Sequence, residues 1–362
     1  MASLLHASLF FDLMNDRENY LATIELRGPE WIPCSVGFLP AAWKHHREAL
    51  EDLVLRHTSI FKGFKRGNID FDNVGHFRSG EYFIDTWNVV WYHAIDGIYG
   101  QIAIHPIDEW GKLATYKPPD STRFTEDGPR EDWAKARRNV ESARKAGAIT
   151  FGEGGNRFFE RLHFLRGFQN LMTDFIRNPP ELQQLIDLVI STNLRVIEKW
   201  LEIGVDIMSF QDDLGTQVSC MVSPWVFRRH LKPGYERMFR SCREAGSHVA
   251  FHSDGHILEV AGDLIGAGVT VINPQVRANT LEGIAKTMKG KVCINLDLDR
   301  QLFPFAKPEG IKEHIKEAVA ILGSKDGGLM LSAEVGPDVP LENVEAICRA
   351  FEELCPPSTG YR

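Results

Sequence analysis

The sequence predicts an α/β protein, a single (β/α)8 TIM barrel with N-terminal elaborations. Three observations predict it. Short β-branched runs alternate with helical patterns from residue 148 onward, the order that builds a parallel sheet. Two more strand-like runs lie upstream and bring the count to eight. No Gly-x-Gly-x-x-Gly turn follows a strand, since Gly152-Glu153-Gly154-Gly155 lacks both that spacing and an acidic ribose partner. The open doubly wound sheet is therefore the weaker alternative, and a dinucleotide is not expected.

The strand candidates are 148–151, 207–210, 248–252, 271–273, 292–295 and 329–332, preceded by 31–36 and 82–91. Helices open where caps, prolines and early acids suit an N-terminus: Asn178-Pro179-Pro180, Ser223-Pro224, Asn279-Thr280-Leu281-Glu282, Lys307-Pro308-Glu309 and Pro340-Leu341-Glu342. They stop at Gly204, Gly246, Gly268, Gly290 and Gly323, because glycine accepts the left-handed turn past a helix end. The charged run 130–145 reads as a helix that starts behind Pro129, turns Trp133 and Val140 to a core and leaves its charges in water. Phe151, Phe158, Phe159, Phe164 and Phe168 are expected in the core. The chain thus divides into an N-terminal helical segment, 1–30, packed on the barrel, the barrel at 31–355 and a tail at 356–362.

With 41 Lys+Arg against 49 Asp+Glu the net charge is −8, which disfavours a nucleic-acid partner. No apolar run is long enough to span a membrane, and the start lacks the positive segment of a secretory signal. The six cysteines are scattered singly, without a Cys-x-x-Cys pair. A reduced, cytoplasmic protein is expected, and Trp31, Trp91 and the many phenylalanines leave room for a homodimer.

A parallel barrel places its ligand site at the carboxyl ends of its strands, and here those ends are polar. His252 and Asp254 stand two apart, so strand alternation points both side chains to one face. An imidazole and a carboxylate there can hold a divalent metal, with Glu334 as third ligand and a position left open for substrate. The competing reading makes His252 a hydrogen-bonded barrel histidine and Asp254 a helix cap near His256. Of the adjacent Asp212 and Asp213, Asp212 is expected to face the mouth as a general acid–base, its proton affinity raised by neighbouring acids. Asp85, framed by Ile84 and Trp87, is either a second catalytic carboxylate or a paired structural one. Asn156, Arg157, Gln211, Asn273 and Gln275 are the expected substrate contacts, with Arg157 meeting an anionic group unless it lies on the surface.

The stretch from Gly204 to Gln275, with Asp212-Asp213, Ser223-Pro224, Pro233 and His252-Ser253-Asp254-Gly255, resembles the uroporphyrinogen decarboxylase superfamily. Asn273-Pro274 and Pro340-Leu341-Glu342-Asn343 extend the likeness, as do Asp85-Thr86-Trp87, His105-Pro106 and Pro118-Pro119-Asp120 upstream. The resemblance implies a (β/α)8 barrel and one of two chemistries: decarboxylation of a tetrapyrrole without a cofactor, or zinc-dependent methyl transfer involving corrinoid proteins or thiols. True decarboxylases of the family carry an arginine-rich N-terminal segment for an octa-acid substrate, whereas Cys34-Ser35-Val36-Gly37-Phe38-Leu39-Pro40 has no arginine. The thiol-methylating branch holds zinc with a His-x-Cys pair and a later Cys. Here those places resemble His252, Asp254 and Ala333-Glu334, so oxygen replaces sulfur and the centre becomes harder.

The resemblance therefore implies a metal-dependent, methyltransferase-like enzyme that takes the methyl group from a small methylated or methoxylated substrate. The metal would be zinc or another divalent ion, and the acceptor a cobalamin on a separate corrinoid protein. The alternatives are a metal-independent decarboxylase of a small carboxylated substrate, in which Asp85 or Asp212 protonates the carbanion, and a non-catalytic ligand-binding barrel.

Overall fold

Seven of the eight expected runs become strands of one sheet in the computed structural model, which describes residues 14–154 and 157–356. They are β1 (Cys34–Phe38), β5 (Phe151–Glu153), β6 (Ile207–Gln211), β7 (His248–Ser253), β8 (Val271–Pro274), β9 (Cys293–Asp297) and β10 (Leu329–Val335). All pair in parallel, in the order β1-β10-β9-β8-β7-β6-β5, so the sheet curls into a barrel wall with β1 and β5 at its edges. Helices follow the strands, and a core containing Phe239, Phe251, Ile272 and Ile294 is buried between the two layers. The charged run forms the helix Trp133–Lys145, with Val140 buried.

The helix Asp16–Ile24 packs at the N-terminal end of the sheet. Asn15 starts it with a reciprocal capping box to Glu18, which satisfies amides that a helix end leaves open. Its Ile24 joins Ile207, Val271, Cys293 and Met330, the first inward residues of four strands, in a second small core that Tyr20 also touches. Arg17 fixes the helix by a 2.7 Å pair with Asp206, whose other oxygen accepts from the Thr150 hydroxyl and amide.

The run 82–91 departs from expectation. It folds back as β2 (Tyr82–Ile84) and β3 (Val90–Tyr92), which with β4 (Gln101–Ile104) make a separate antiparallel sheet. The cause is Asp85, whose Oδ1 accepts from the amides of Trp87 (2.9 Å) and Val89 (2.8 Å) while Asn88 takes the left-handed conformation. That is a side-chain-built turn, which ends a strand.

The other Asp85 oxygen accepts from Trp91 Nε1 and pairs with Arg161 at 3.2 Å, both partners being shielded from water. Removing Asp85 leaves the buried Arg161 with Glu126 alone and the Trp87, Val89 and Trp91 donors without their acceptor, a loss of about 3–5 kcal/mol. Asp85→Ala is therefore expected to lower unfolding free energy by about that amount in urea titration; an unchanged midpoint would remove Asp85 from its structural role.

Candidate active site at the barrel mouth

On the upper barrel the residues facing the axis are the less buried ones. Ser209 and Gln211 on β6, Ala250 and His252 on β7, Asn273 on β8, Asn295 on β9, Ser332 and Glu334 on β10 and Ser35 and Gly37 on β1 alternate with fully or partly buried outward neighbours. Barrel interiors are ordinarily filled by layers of branched side chains. These residues are too small or too polar to fill one, and two cavities of about 530 and 370 Å³ result. Gln211, His252, Asn273 and Asn295 line both.

His252 stands where the cavities meet. Its Nδ1 is 2.5 Å from Asn273 Oδ1 and its Nε2 is 3.1 Å from Asp254 Oδ1. The Asn273 amide nitrogen donates to the Asn295 carbonyl and to Ser332 Oγ, which leaves only the amide oxygen to face the ring. Both ring nitrogens thus meet acceptors. Burial alone would lower the proton affinity of His252, but the hydrogen bond and charge of Asp254, with Asp213 nearby, raise its pKa to about 9.

Asp213 joins this pair through a crossing of two loops. The loop after β6 and the loop after β7 run backbone to backbone at Gly215 and Gly255, where a Cβ on either would collide with the backbone of the other loop, and Gly255 has φ +75°. Only glycine permits that approach. The crossing brings Asp213 Oδ1 to 2.9 Å from the amide of Asp254, and one ligand atom each of Asp213, His252 and Asp254 lie within 4.8 Å of one another.

Glu334 does not complete that set. Arg300, just past β9, binds Glu334 Oε1 at 2.5 Å, Asp254 Oδ1 at 2.6 Å and Asp297 Oδ2 at 2.9 Å, so Glu334 is tied to Asp254 through the guanidinium and is not among the residues whose ligand atoms converge. Asp297 is buried, and desolvation raises its pKa to about 6 despite Arg300. The chemistry of the donor set, one imidazole and two carboxylates, fits a divalent cation, with Asp213 in the place expected for Glu334.

The two acids expected to catalyse lie elsewhere. Asp85 is the buried turn-former described above, away from both cavities. Asp212 is 1% exposed and accepts from the amides of Phe158 (2.8 Å), Phe159 (2.5 Å) and Glu160 (2.7 Å) and from the Tyr235 hydroxyl (2.5 Å). It anchors the start of the helix Phe159–Arg166, whose free amides favour a carboxylate. Alternation explains the swap: with Gln211 facing the axis, Asp212 faces the helices and Asp213 returns to the mouth.

Of the expected substrate contacts, Gln211 and Asn273 line both cavities. Gln275 instead braces Asp254, donating to its Oδ1 at 2.6 Å while accepting from the amide of Gly255. Arg157 lines the larger cavity but is engaged by Glu160 at 2.5 Å and lies over the Tyr99 ring, so it is not a free cation for an anionic group. Asn156 lies outside the described residues. Arg300 and Asp213 had no assigned role in the sequence; the only signals were strand parity for Asp213 and an Asp-x-x-Arg spacing for Arg300.

The uroporphyrinogen decarboxylase (URO-D) family model matches residues 163–354, more than half of the chain. The chain belongs to the URO-D family. All three residues of the candidate metal set fall inside the matched span, as do Arg300 and Glu334. Uroporphyrinogen decarboxylase of Thermus thermophilus is 25% identical over 175 residues, 44% of this chain and 48% of that protein, so the chain spans about half the length of the curated relative it matches. A methyltransferase from Methanosarcina mazei superposes with a TM-score of 0.64 over 94% of this chain and 99% of that one, at 17% identity. That likeness shows the barrel fold of the URO-D member described here. No helix among the described residues is long and apolar enough to cross a membrane.

Asp212→Asn turns one acceptor oxygen into a donor facing backbone N–H groups. It is expected to cost about 2–4 kcal/mol of stability, summed over the disrupted charged hydrogen bonds. Chemical denaturation checks this, and a variant as stable as the parent would contradict the anchoring role.

Proposed function

We propose that this URO-D family member is a metal-assisted, methyltransferase-like enzyme that removes the methyl group from a small methylated or methoxylated compound. The observation that carries the reading is the convergence of Asp213, His252 and Asp254, with His252 lining both cavities. His252 and the two aspartates would hold a divalent ion, zinc or a harder relative. When bound, such an ion supplies Lewis acidity to the heteroatom that loses its methyl group. The acceptor is proposed, on the family resemblance, to be a cobalamin carried by a separate corrinoid protein.

The residues around the set have distinct tasks. Arg300 and Gln275 both hold Asp254 Oδ1, fixing the carboxylate that His252 faces. Asn273 fixes the tilt of the imidazole through Nδ1 and so leaves Nε2 on the side of Asp254, the second contact that commonly orients a metal-binding histidine. Asp297, with its pKa near 6, sits on the wall of the smaller cavity and can exchange a proton with a leaving group near neutral pH.

Charge favours this reading over decarboxylation of an octa-acid. Four carboxyl groups, Asp213, Asp254, Asp297 and Glu334, surround His252 and Arg300, and with His252 neutral as a metal ligand only Arg300 would remain to balance them. A mouth with that balance attracts a cation and repels a polycarboxylate.

Metal analysis after dialysis checks the proposal. About one divalent ion per chain is expected, with at least a tenfold loss of affinity in His252→Ala and in Asp213→Asn, since each removes one ligand. Glu334→Gln should retain the ion. Metal-free folded protein, or loss in Glu334→Gln with retention in Asp213→Asn, would overturn the ligand set.

A further inference from the structure

The larger cavity has an uneven lining. Its lower wall is apolar and carries the rings of Tyr20 and Phe151 beside Ile207, Ala250 and Val271. Phe151, expected in the core, is 45% exposed and meets Tyr20 edge to face with centroids 6.0 Å apart. Ser209, on the inward face of β6, is exposed although it sits mid-strand in a barrel wall. Space and aromatic surface thus lie directly below the polar groups of the mouth. An apolar cavity of ~150 Å³ already admits benzene, and the whole cavity of which this apolar wall is the lower part is about 530 Å³.

The polar rim of the same cavity selects by charge. Glu126, Asp127 and Glu153 lie on it. Arg157 is engaged by Glu160 at 2.5 Å, and Arg130 reaches the rim only to bind Glu153 at 2.6 Å. Glu126 in turn pairs with the buried Arg161 at 2.9 Å. Among the described residues the arginines beside this lobe are already paired. A carboxylate brought into it would meet three acids, with neutral donors such as Ser209, Gln211 and Asn295 and the Asp254-paired His252 to set against its lost hydration.

We infer that the lobe takes an uncharged aromatic ring, so that the substrate is an aryl methyl ether with its ring against Tyr20 and Phe151 and its methoxy group towards His252. The inference rests on the methyl-transfer reading for the identity of the reacting group, but the ring site itself needs no metal.

The test uses full-length protein treated with a chelator, with methoxybenzene and 4-methoxybenzoate as probes, followed by saturation-transfer NMR and titration. Methoxybenzene should bind at least tenfold more tightly than the benzoate. Ser209→Phe, which puts a side chain into the lobe, should weaken methoxybenzene at least tenfold, and Ala250→Leu serves the same end should the first variant not fold. Equal or tighter binding of the anion overturns the inference, as does unchanged binding in a folded lobe-filling variant. Ring binding by protein that holds no metal would sustain this inference while the metal reading fails. Metal-loaded protein that binds no ring would sink this inference alone.

Discussion

Everything at the mouth of this barrel follows from the alternation of side chains along its strands. Residues two apart share a face, and on the upper inward face this chain places serine, alanine, asparagine, glutamine and histidine where a barrel would otherwise be packed with branched apolar groups. The outward face keeps the apolar partners, such as Phe251, Ile272 and Ile294, that bind the helices. Stability is thus assigned to the outside of the sheet and to the small core around Ile24 at its foot, which leaves the upper interior open for a ligand.

Charged groups next to open space have to be held. At this mouth they are held by one another: Arg300 ties three carboxylates from three segments, and Asp254 receives His252, Gln275 and Arg300 on the same oxygen. The Gly215–Gly255 crossing then sets Asp213 against the backbone of Asp254. Preorganisation of this kind is what a site needs if its groups are to meet a ligand without rearranging. A neighbouring buried network, Asp212 with the amides of residues 158–160 and Tyr235, ties the end of β6 to the start of the helix Phe159–Arg166.

Much of this was legible in the sequence. Alternation with helical segments gave the parallel sheet and six of its strands to within a few residues, and β1 was found at the end of the run 31–36. Parity put His252 and Asp254 on one face, and the two side chains do meet, while Gln211, Asn273 and Glu334, picked out as polar strand ends, line the cavities. The same parity, carried one step past Gln211, would have chosen Asp213 over Asp212. It was missed because adjacent acids beyond a strand end carry no mark of which one the turn returns. The run 82–91 has strand-like composition on both sides of Asp85-Thr86-Trp87-Asn88, and the turn depends on a side chain bonding its own backbone, which composition does not reveal. Arg300 belongs to the site through contacts with residues 34 and 46 positions away, a distance over which local pattern is silent.

One imidazole and two carboxylates, brought together by strand parity and by two crossing glycines, are proposed to form a single cation site. X-ray absorption at the zinc edge of zinc-loaded protein tests it most directly. A first shell with one imidazole nitrogen and carboxylate oxygens, without sulfur, is expected. A shell containing sulfur, or one lacking imidazole, would contradict it.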